Sequence, residues 1–218
     1  MTVRHHISDE ILLSYAAGSL AEGWSLLVAT HLALCPHCRA RSRSADAVGG
    51  WLLESLEETP VSSSALPSVM ARIERDNSPP KETKPLGSIG PMVLPEPLRS
   101  YLGGDLEELK WRRLGQRVYH VPINISDSET RAAMLRVRRG VAVPRHGHGG
   151  RELTLVLAGS FCDGGAVFAK GDVEETDESV VHQPIAGSDE DCVCLAVTDA
   201  LLQFKTLTAR LLQPFFGI

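Results

Sequence analysis

The residues with the clearest chemical potential lie near the N-terminus, where one histidine and two cysteines are closely spaced. His31 precedes Cys35 by four residues, and Cys38 follows three residues later. On a helix the side chains of His31 and Cys35 share a face. A Cys-x-x-Cys turn lets two thiolates converge on one ion, and structural zinc takes four nitrogen or sulfur ligands in a tetrahedron. The spacing therefore predicts a zinc site in which His31, Cys35 and Cys38 are three of the four ligands.

The fourth ligand could come from His5, His6 or His37. His37 lies inside the Cys-x-x-Cys turn and is expected to point away, whereas His5 and His6 lie just before the first predicted helix and could fold back. Two other interpretations of the cluster stay open: a redox dithiol, although the βαβ context typical of that chemistry is missing, and plain core packing. Zinc is favoured, because a small helical bundle buries little and bound zinc supplies roughly 10–16 kcal/mol of apparent binding energy.

A second group of potential ligands lies in the C-terminal half of the chain and comprises His146, His148, Glu152 and His182. The first three positions have equal parity, so in an extended segment their side chains face one side of a sheet. Three imidazoles and one carboxylate suit Zn, Fe, Mn or Ni. The pattern predicts a metal site that faces a barrel interior. The alternative is a set of exposed loop histidines around a Gly-rich turn.

Cys192 and Cys194 share one face of a predicted strand and could lie beside this metal pocket. They are either oxidant-sensitive thiols or small buried core residues, and core packing is the commoner role of such cysteines. Cys162 is expected to be a core residue as well. Trp24 and Trp51 are expected to pack between helices.

These residues require two different scaffolds, and the first is helical. Apolar residues recur at helical spacing between Ser8 and Asp76. Ser8 is placed as an N-cap with acidic residues in the first turn after it. Further amphipathic stretches run from about Arg39 to Leu56 and from about Leu66 to Arg75. The pattern predicts a small bundle of about four helices with a thin core.

The second scaffold is built from strands. Residues 77–97 are rich in Pro and Gly, which indicates a partly extended interdomain linker. From Leu98 onward, short apolar runs alternate with Gly-rich turns, which is typical of a β-sandwich or barrel. The predicted architecture is an α+β protein of two domains: a helical bundle over residues 1–76, the linker over 77–97, and a β domain over 98–218.

Composition excludes several classes of protein. The 218 residues include 22 basic and 27 acidic side chains and 43% hydrophobic residues, so the chain is not disordered throughout. The longest basic cluster is the short run 136–139, so direct contact with nucleic acid is not expected. No apolar run reaches the roughly 18 residues that span a membrane. With an odd number of cysteines and no signal-peptide pattern, we expect a cytoplasmic protein without a disulfide framework.

The pattern His31-x3-Cys35-x2-Cys38 in a short N-terminal helical region resembles the zinc-binding anti-sigma domain family. The resemblance implies His6 as the fourth ligand, since members of that family often place a ligand before or on the first helix. It also implies that the helical domain clasps an extracytoplasmic-function sigma factor and keeps it from RNA polymerase.

The C-terminal half resembles the cupin superfamily. The segment Gly140-x5-His146-x-His148-x3-Glu152-x6-Gly159 matches every defined position of the first cupin metal motif. The second motif, Gly171-x10-His182, is degenerate. The departures affect the turn around His182 more than its role as a ligand. They are Asp177 and Ser179 where the family usually has Pro and Gly, and Ala186 where it has Asn.

Both domains in this order resemble cupin anti-sigma factors of the ChrR type. The resemblance implies a non-enzymatic regulator that binds one group IV sigma factor per chain (1:1). It implies zinc in the N-terminal domain and zinc, or Fe, Mn or Ni, in the cupin domain. The cupin domain would sense singlet oxygen or organic hydroperoxides and trigger release of the sigma factor. The competing hypothesis is a metal-dependent cupin dioxygenase with an accessory zinc domain, although the sequence offers no further acid/base set.

Overall fold

The computed structural model describes residues 2–76 and 93–200 together with the backbone of 202–204. Most of the predicted linker, residues 77–92, lies outside the described residues. The described part contains five helices: α1 (Asp9–Ala16), α2 (Glu22–Leu34), α3 (Pro36–Glu54), α4 (Ala65–Arg75) and α5 (Glu96–Leu102). None of these helices combines the length and the apolar character needed to cross a bilayer.

Twelve strands follow in the described part of the chain: β1 (Arg112–Arg113), β2 (Val118–Ile123), β3 (Arg131–Val137), β4 (His146–His148), β5 (Glu152–Ala158), β6 (Ser160–Asp163), β7 (Ala166–Ala169), β8 (Val173–Thr176), β9 (Val181–His182), β10 (Ile185–Ala186), β11 (Cys192–Thr198) and β12 (Leu202–Phe204). The predicted α+β organisation, with helices first and a sheet-rich region after them, is confirmed.

The helices of the N-terminal region begin close to the predicted positions. Ser8 is the N-cap residue of α1, although its side chain makes no capping hydrogen bond. Helix α3 begins at Pro36 rather than near Arg39, because proline is well suited to the first helical turn and the Cys35 Sγ accepts a hydrogen bond from the Cys38 N–H as a cap. Helices α1, α2 and α3 pack together, whereas α4 has no buried residue.

The expected onset of strand structure at Leu98 is wrong, because this residue lies in α5. Pro97 favours the first turn of a helix, and Gly103 ends the helix in the left-handed conformation with φ of 73°. The Leu98 side chain is fully buried. Just before α5, the N–H of Leu94 donates to the Asp105 carboxylate at 3.1 Å. The last residues of the predicted linker are therefore part of the packed structure.

The sheet-rich region consists of one large antiparallel sheet and two small sheets. The large sheet has the strand order β1-β2-β3-β11-β5-β8, and the small sheets have the orders β10-β6-β7 and β12-β4-β9. Among the described strands the three sheets are not joined into a closed barrel.

The large sheet has two faces with different roles. Alternate side chains of β5 and β11 pack against helices α1 and α2 in one continuous apolar core; they are Leu153, Leu155, Leu157, Val193, Leu195 and Val197. The intervening side chains line a cavity on the opposite face; they are Glu152, Thr154, Cys192, Cys194, Ala196 and Thr198. The helices and the cavity are therefore supported by the same strands.

The N-terminus of α2 is fastened to the loop before β3. The Glu22 N–H donates to the Asp127 carboxylate, and the Gly23 N–H donates to the Thr130 Oγ1 at 3.2 Å. The Glu22 carboxylate in turn accepts from the Ser126 N–H at 2.6 Å. This docking leaves no room for a side chain at Gly23.

Gly23→Ala should weaken the docking of α2 on the sheet. A Cβ at this position would lie 3.0 Å from the Thr130 Cβ and 3.1 Å from the Val197 Cγ1, so the helix must shift. We expect a loss of about 1–3 kcal/mol in the free energy of unfolding, measured by urea denaturation. The matched control is Gly49→Ala in α3, where a Cβ meets nothing within 4 Å. The control should be neutral or stabilising by up to about 1 kcal/mol, and equal losses in both variants would contradict the packing argument.

Candidate metal centres

The first cluster of potential metal ligands lies where the N-terminal segment meets the junction of α2 and α3. One ligand atom from each of His6, His31, Cys35 and Cys38 lies within 4.8 Å of the others. The His6 Nδ1 is 3.3 Å from the Cys35 Sγ and 3.5 Å from the Cys38 Sγ. His31 and both cysteines are buried, and His6 is half-buried. Two sulfurs and two imidazoles at this separation suit a tetrahedral zinc ion.

The protonation states and hydrogen bonds of these side chains favour a cation bound between them. The His31 Nδ1–H donates to the Gly171 carbonyl at 2.9 Å, while its Nε2 is buried without a hydrogen-bond partner. Burial lowers the pKa of His31 to about 4, so the imidazole is neutral and its Nε2 lone pair is available. Burial, together with the neighbouring Cys35, raises the pKa of Cys38 to about 12. Zinc would supply the positive charge that turns such thiols into thiolates.

Of the three histidines considered for the fourth position, His6 is the one that joins the cluster. The His5 ring instead stacks on Phe168, with ring centroids 4.3 Å apart, and its Nδ1 lies 3.5 Å from the Asp172 carboxylate. His37 is exposed, and its ring is 4.7 Å from the ring of His6. The two adjacent residues therefore have different partners: His5 contacts Phe168 and Asp172, and His6 contacts the two cysteines.

The second cluster brings together three of the histidines from the cupin-like motifs. His146 and His148 lie on the same side of β4, and pairing of β4 with β9 places His146 opposite His182. The His182 Nε2 is 3.0 Å from the His148 Nε2 and 3.2 Å from the His146 Nε2. All three side chains are buried. The interpretation as exposed loop histidines is therefore wrong.

Hydrogen bonds at the opposite ring nitrogens orient two of these imidazoles. The His146 Nδ1–H donates to the Pro144 carbonyl at 2.8 Å, and the His182 Nδ1–H donates to the Asp163 carboxylate at 2.8 Å. Burial lowers the pKa of His146 and lowers that of His148 to about 4, so both rings are neutral. Because the Pro144 carbonyl can only accept, the His146 Nδ1 carries the proton and its Nε2 faces the cluster, where it could bind a metal ion.

Glu152 lies beside the histidine cluster but not within it. Its Oε2 is 3.7 Å from the Nδ1 of His148, the ring nitrogen opposite the cluster, and its Oε1 accepts from the Thr154 hydroxyl at 3.3 Å. Burial raises the pKa of Glu152 to about 7. The chain passes through Gly149 and Gly150 from a small sheet (β4) to the large sheet (β5). The equal parity of positions 146, 148 and 152 therefore does not put the Glu152 side chain in the histidine cluster.

Two acidic residues that sequence reasoning missed adjoin the cluster. Asp163 on β6 and Glu174 on β8 form a further group with His182, whose potential ligand atoms lie within 4.8 Å of one another. The Glu174 Oε2 is 4.0 Å from the His182 Nδ1. Burial, and the negative charge of Asp163, raise the pKa of Glu174 to about 8. Nothing in the sequence distinguishes Glu174 from its exposed neighbour Glu175 on the same strand.

The two cysteines of β11 face the same cavity as the histidines. Cys192 and Cys194 are buried and line a cavity of about 400 Å³ together with His146, His182 and Glu152. A hydrogen bond that the Cys194 S–H donates to Cys192, together with burial, raises the pKa of Cys194, so its thiol is neutral. Cys162, expected in the core, is exposed.

Comparison with known proteins gives consistent matches. Residues 101–202 match the family model described as the ChrR cupin-like domain. The chain is 46% identical over 218 residues, the full length of both proteins, to the anti-sigma-E factor ChrR of Cereibacter sphaeroides. It is also similar to a crystal structure of Rhodobacter sphaeroides SigE in complex with the anti-sigma ChrR, with 44% identity and a TM-score of 0.80. That match covers 91% of this chain and 100% of the other.

Metal content tests the two clusters separately. We expect two metal ions per chain by native mass spectrometry. Cys35→Ala should lose the N-terminal ion, because one thiolate cannot complete the tetrahedron, and His148→Ala should lose the ion of the second cluster. Cys162→Ala is the matched control, since this exposed thiol lies in neither cluster, and it should retain both ions. Unchanged metal content in Cys35→Ala or in His148→Ala would contradict the corresponding site.

Proposed function

Because the chain belongs to the ChrR family of anti-sigma factors, we propose that it binds an extracytoplasmic-function sigma factor in a 1:1 complex and keeps that factor from RNA polymerase. The protein would then be a regulator of transcription rather than an enzyme, acting in the cytoplasm without contacting nucleic acid itself. In this proposal residues 1–76 form the anti-sigma domain, 77–97 connect the domains and 98–218 form the cupin domain, and the two domains share one apolar core.

The observation that carries this proposal is a pair of apolar helix surfaces that the described part of the chain does not cover. The C-terminal half of α3 and one face of α4 expose large apolar side chains: Val48, Trp51, Leu52, Leu53, Leu66, Val69, Met70 and Ile73. The expectation that Trp51 packs between helices is wrong, since 67% of its surface is exposed. Contiguous exposed apolar side chains of this kind are typical of protein–protein interaction sites.

The pattern on α4 specifies the kind of contact. Leu66, Val69, Met70 and Ile73 follow the i, i+3, i+4, i+7 spacing that places four side chains on one face of a helix. An amphipathic helix of this kind typically lies in an apolar groove of a partner protein. Burial of its apolar face on a sigma factor would account for residues that are otherwise unfavourable in water.

A metal ion in the N-terminal cluster would hold the helices that carry these surfaces in a fixed arrangement. Zinc bound by His6, His31, Cys35 and Cys38 would join the segment before α1, the end of α2 and the start of α3. Because α3 carries one of the two apolar surfaces, loss of zinc should disturb the orientation of that surface.

The second cluster would be the sensor. We propose that His146, His148 and His182, with Glu152 beside them, hold zinc or another divalent metal such as Fe, Mn or Ni. Imidazoles are electron-rich, and the thiols of Cys192 and Cys194 face the same cavity. Oxidation of these groups by singlet oxygen or organic hydroperoxides would disturb the large sheet and so lead to release of the sigma factor.

A metal-dependent cupin dioxygenase with an accessory zinc domain is the second candidate. The cavity of about 400 Å³ beside His146 and His182 favours it, because a small substrate could reach a metal bound there. Substrate-dependent oxygen consumption by the iron-loaded protein would support this candidate.

Ile73→Asp should weaken binding of the sigma factor without affecting the fold. Ile73 is 62% exposed, so the substitution costs little within this chain, but it places a charge in the apolar face of α4. We expect at least a tenfold rise in Kd, measured by calorimetry with the purified sigma factor. Val167→Asp, at an exposed apolar position on β7 (52% exposed), is the matched control and should bind normally. An unchanged Kd for Ile73→Asp would contradict the assignment of α4.

Variants of the two clusters should separate repression from sensing. His146→Ala should retain sigma binding but blunt the transcriptional response to a singlet-oxygen generator, measured with a reporter gene in cells. Cys35→Ala should lose zinc and repression together. Loss of sigma binding in His146→Ala would contradict the separate roles, and full repression by a zinc-free Cys35→Ala protein would contradict a structural role for zinc.

A further inference from the structure

The zinc cluster of the helical region takes part of its support from the sheet-rich region. The relevant element is the β7–β8 turn, residues 170–172. The carbonyl of Gly171 accepts the hydrogen bond of the His31 Nδ1–H at 2.9 Å, in a fully buried environment. This bond leaves the His31 Nε2 as the ring nitrogen that can bind a metal ion.

The next residue of the turn holds the segment that carries His6. The Asp172 Oδ1 accepts from the Arg4 N–H at 2.6 Å and from the His5 N–H at 3.0 Å. The N–H of Val173 donates to the His5 carbonyl at 3.1 Å. Asp172 is 2% exposed, so the carboxylate that accepts these bonds is largely shielded from water. His6 follows directly, and its position is therefore set by the start of β8.

The turn itself is firmly fixed to the large sheet. The Gly171 N–H donates to the Val156 carbonyl at 2.8 Å, and the Val156 N–H donates to the Asp172 carbonyl at 3.0 Å. Gly171 has φ of +93°, and a Cβ there would lie 2.8 Å from the Val3 Cγ2. Glycine is therefore required both by the backbone conformation and by the close approach of the N-terminal segment.

We propose that the β7–β8 turn positions two of the four zinc ligands: Gly171 fixes the tautomer of His31, and Asp172 fixes the place of His6. Groups that orient metal ligands commonly change metal affinity by about 10–100-fold when they are removed. Asp172 is a positioning residue in this account, since it touches no ligand atom itself. The inference rests on the proposed function in one respect, namely that zinc occupies the N-terminal cluster.

The same turn leads directly to the second cluster, which connects this inference with regulation. Glu174 lies two residues after Asp172, within β8, in the group formed with Asp163 and His182. A displacement of Glu174 would be passed along β8 to Asp172, two residues away, and from Asp172 to the segment that carries His6. The affinity of the N-terminal cluster for zinc would thereby respond to the state of the cupin cavity.

The test compares two carboxylates that both fasten the helical region to the sheet-rich region. Asp172→Ala removes both acceptor oxygens near the zinc ligands. Asp172→Asn keeps one acceptor oxygen and turns an NH2 group toward either the Arg4 and His5 N–H groups or the Ala169 N–H. Asp127→Asn is the matched control, because Asp127 accepts from the Glu22 N–H at the other end of α2, away from the zinc cluster. The full-length protein is titrated with Co²⁺, whose thiolate charge-transfer band reports only a site with cysteine ligands, and then with Zn²⁺ against a chelator.

We expect a loss of roughly tenfold or more in Co²⁺ and Zn²⁺ affinity for Asp172→Ala, a smaller but still several-fold loss for Asp172→Asn, and a change of less than about twofold for Asp127→Asn. If Asp172→Ala fails to fold, Asp172→Asn decides the question, because the groups that face both carboxylate oxygens are N–H donors and an amide has only one acceptor oxygen. Affinity within twofold of the parent in a folded Asp172 variant would overturn the inference, as would an equal loss in Asp127→Asn, which would indicate a general effect of docking. Absence of the thiolate band in the parent protein would instead overturn the zinc assignment itself.

Discussion

Antiparallel pairing of β11 with both β3 and β5 is the constraint on which the rest of the structure depends. Because side chains alternate along a strand, Leu195 is buried against the helices while its neighbour Cys194 faces the cavity. Close packing on the helical side transmits displacement rather than absorbing it. A chemical change in the cavity therefore acts on the same strands that support the helical region.

The cluster of His6, His31, Cys35 and Cys38 lies at the edge of this shared core, and its members come from three separate segments of the chain. His31 is held by a carbonyl of the sheet-rich region, and Cys35 caps α3 with its own sulfur. Beyond the cluster, the second half of α3 and all of α4 leave the core, and their apolar side chains face water in the absence of a partner. The described part of the chain thus combines a packed core with two helices whose exposed apolar side chains are suited to bind another protein.

The sequence allowed prediction of the parts that depend on local spacing. Helical geometry alone relates His31 to Cys35, and a short strand relates His146 to His148. Relations between distant strands could not be predicted, which is why Glu174 was missed. Periodicity also could not predict what covers an apolar face: the helices and the large sheet share one apolar core, which the pattern within each segment does not indicate. Membership of the ChrR family identified the partner class, which local chemistry could not.

The most direct test of the account is native mass spectrometry of the full-length protein purified from its own host under reducing conditions. The measurement gives the mass of any bound protein and the metal content of the chain together. The account predicts a 1:1 complex with a chain of sigma-factor size, with metal retained by this protein. Isolation of the free chain alone, carrying iron, manganese or nickel in one site, would contradict the account and favour a cupin dioxygenase.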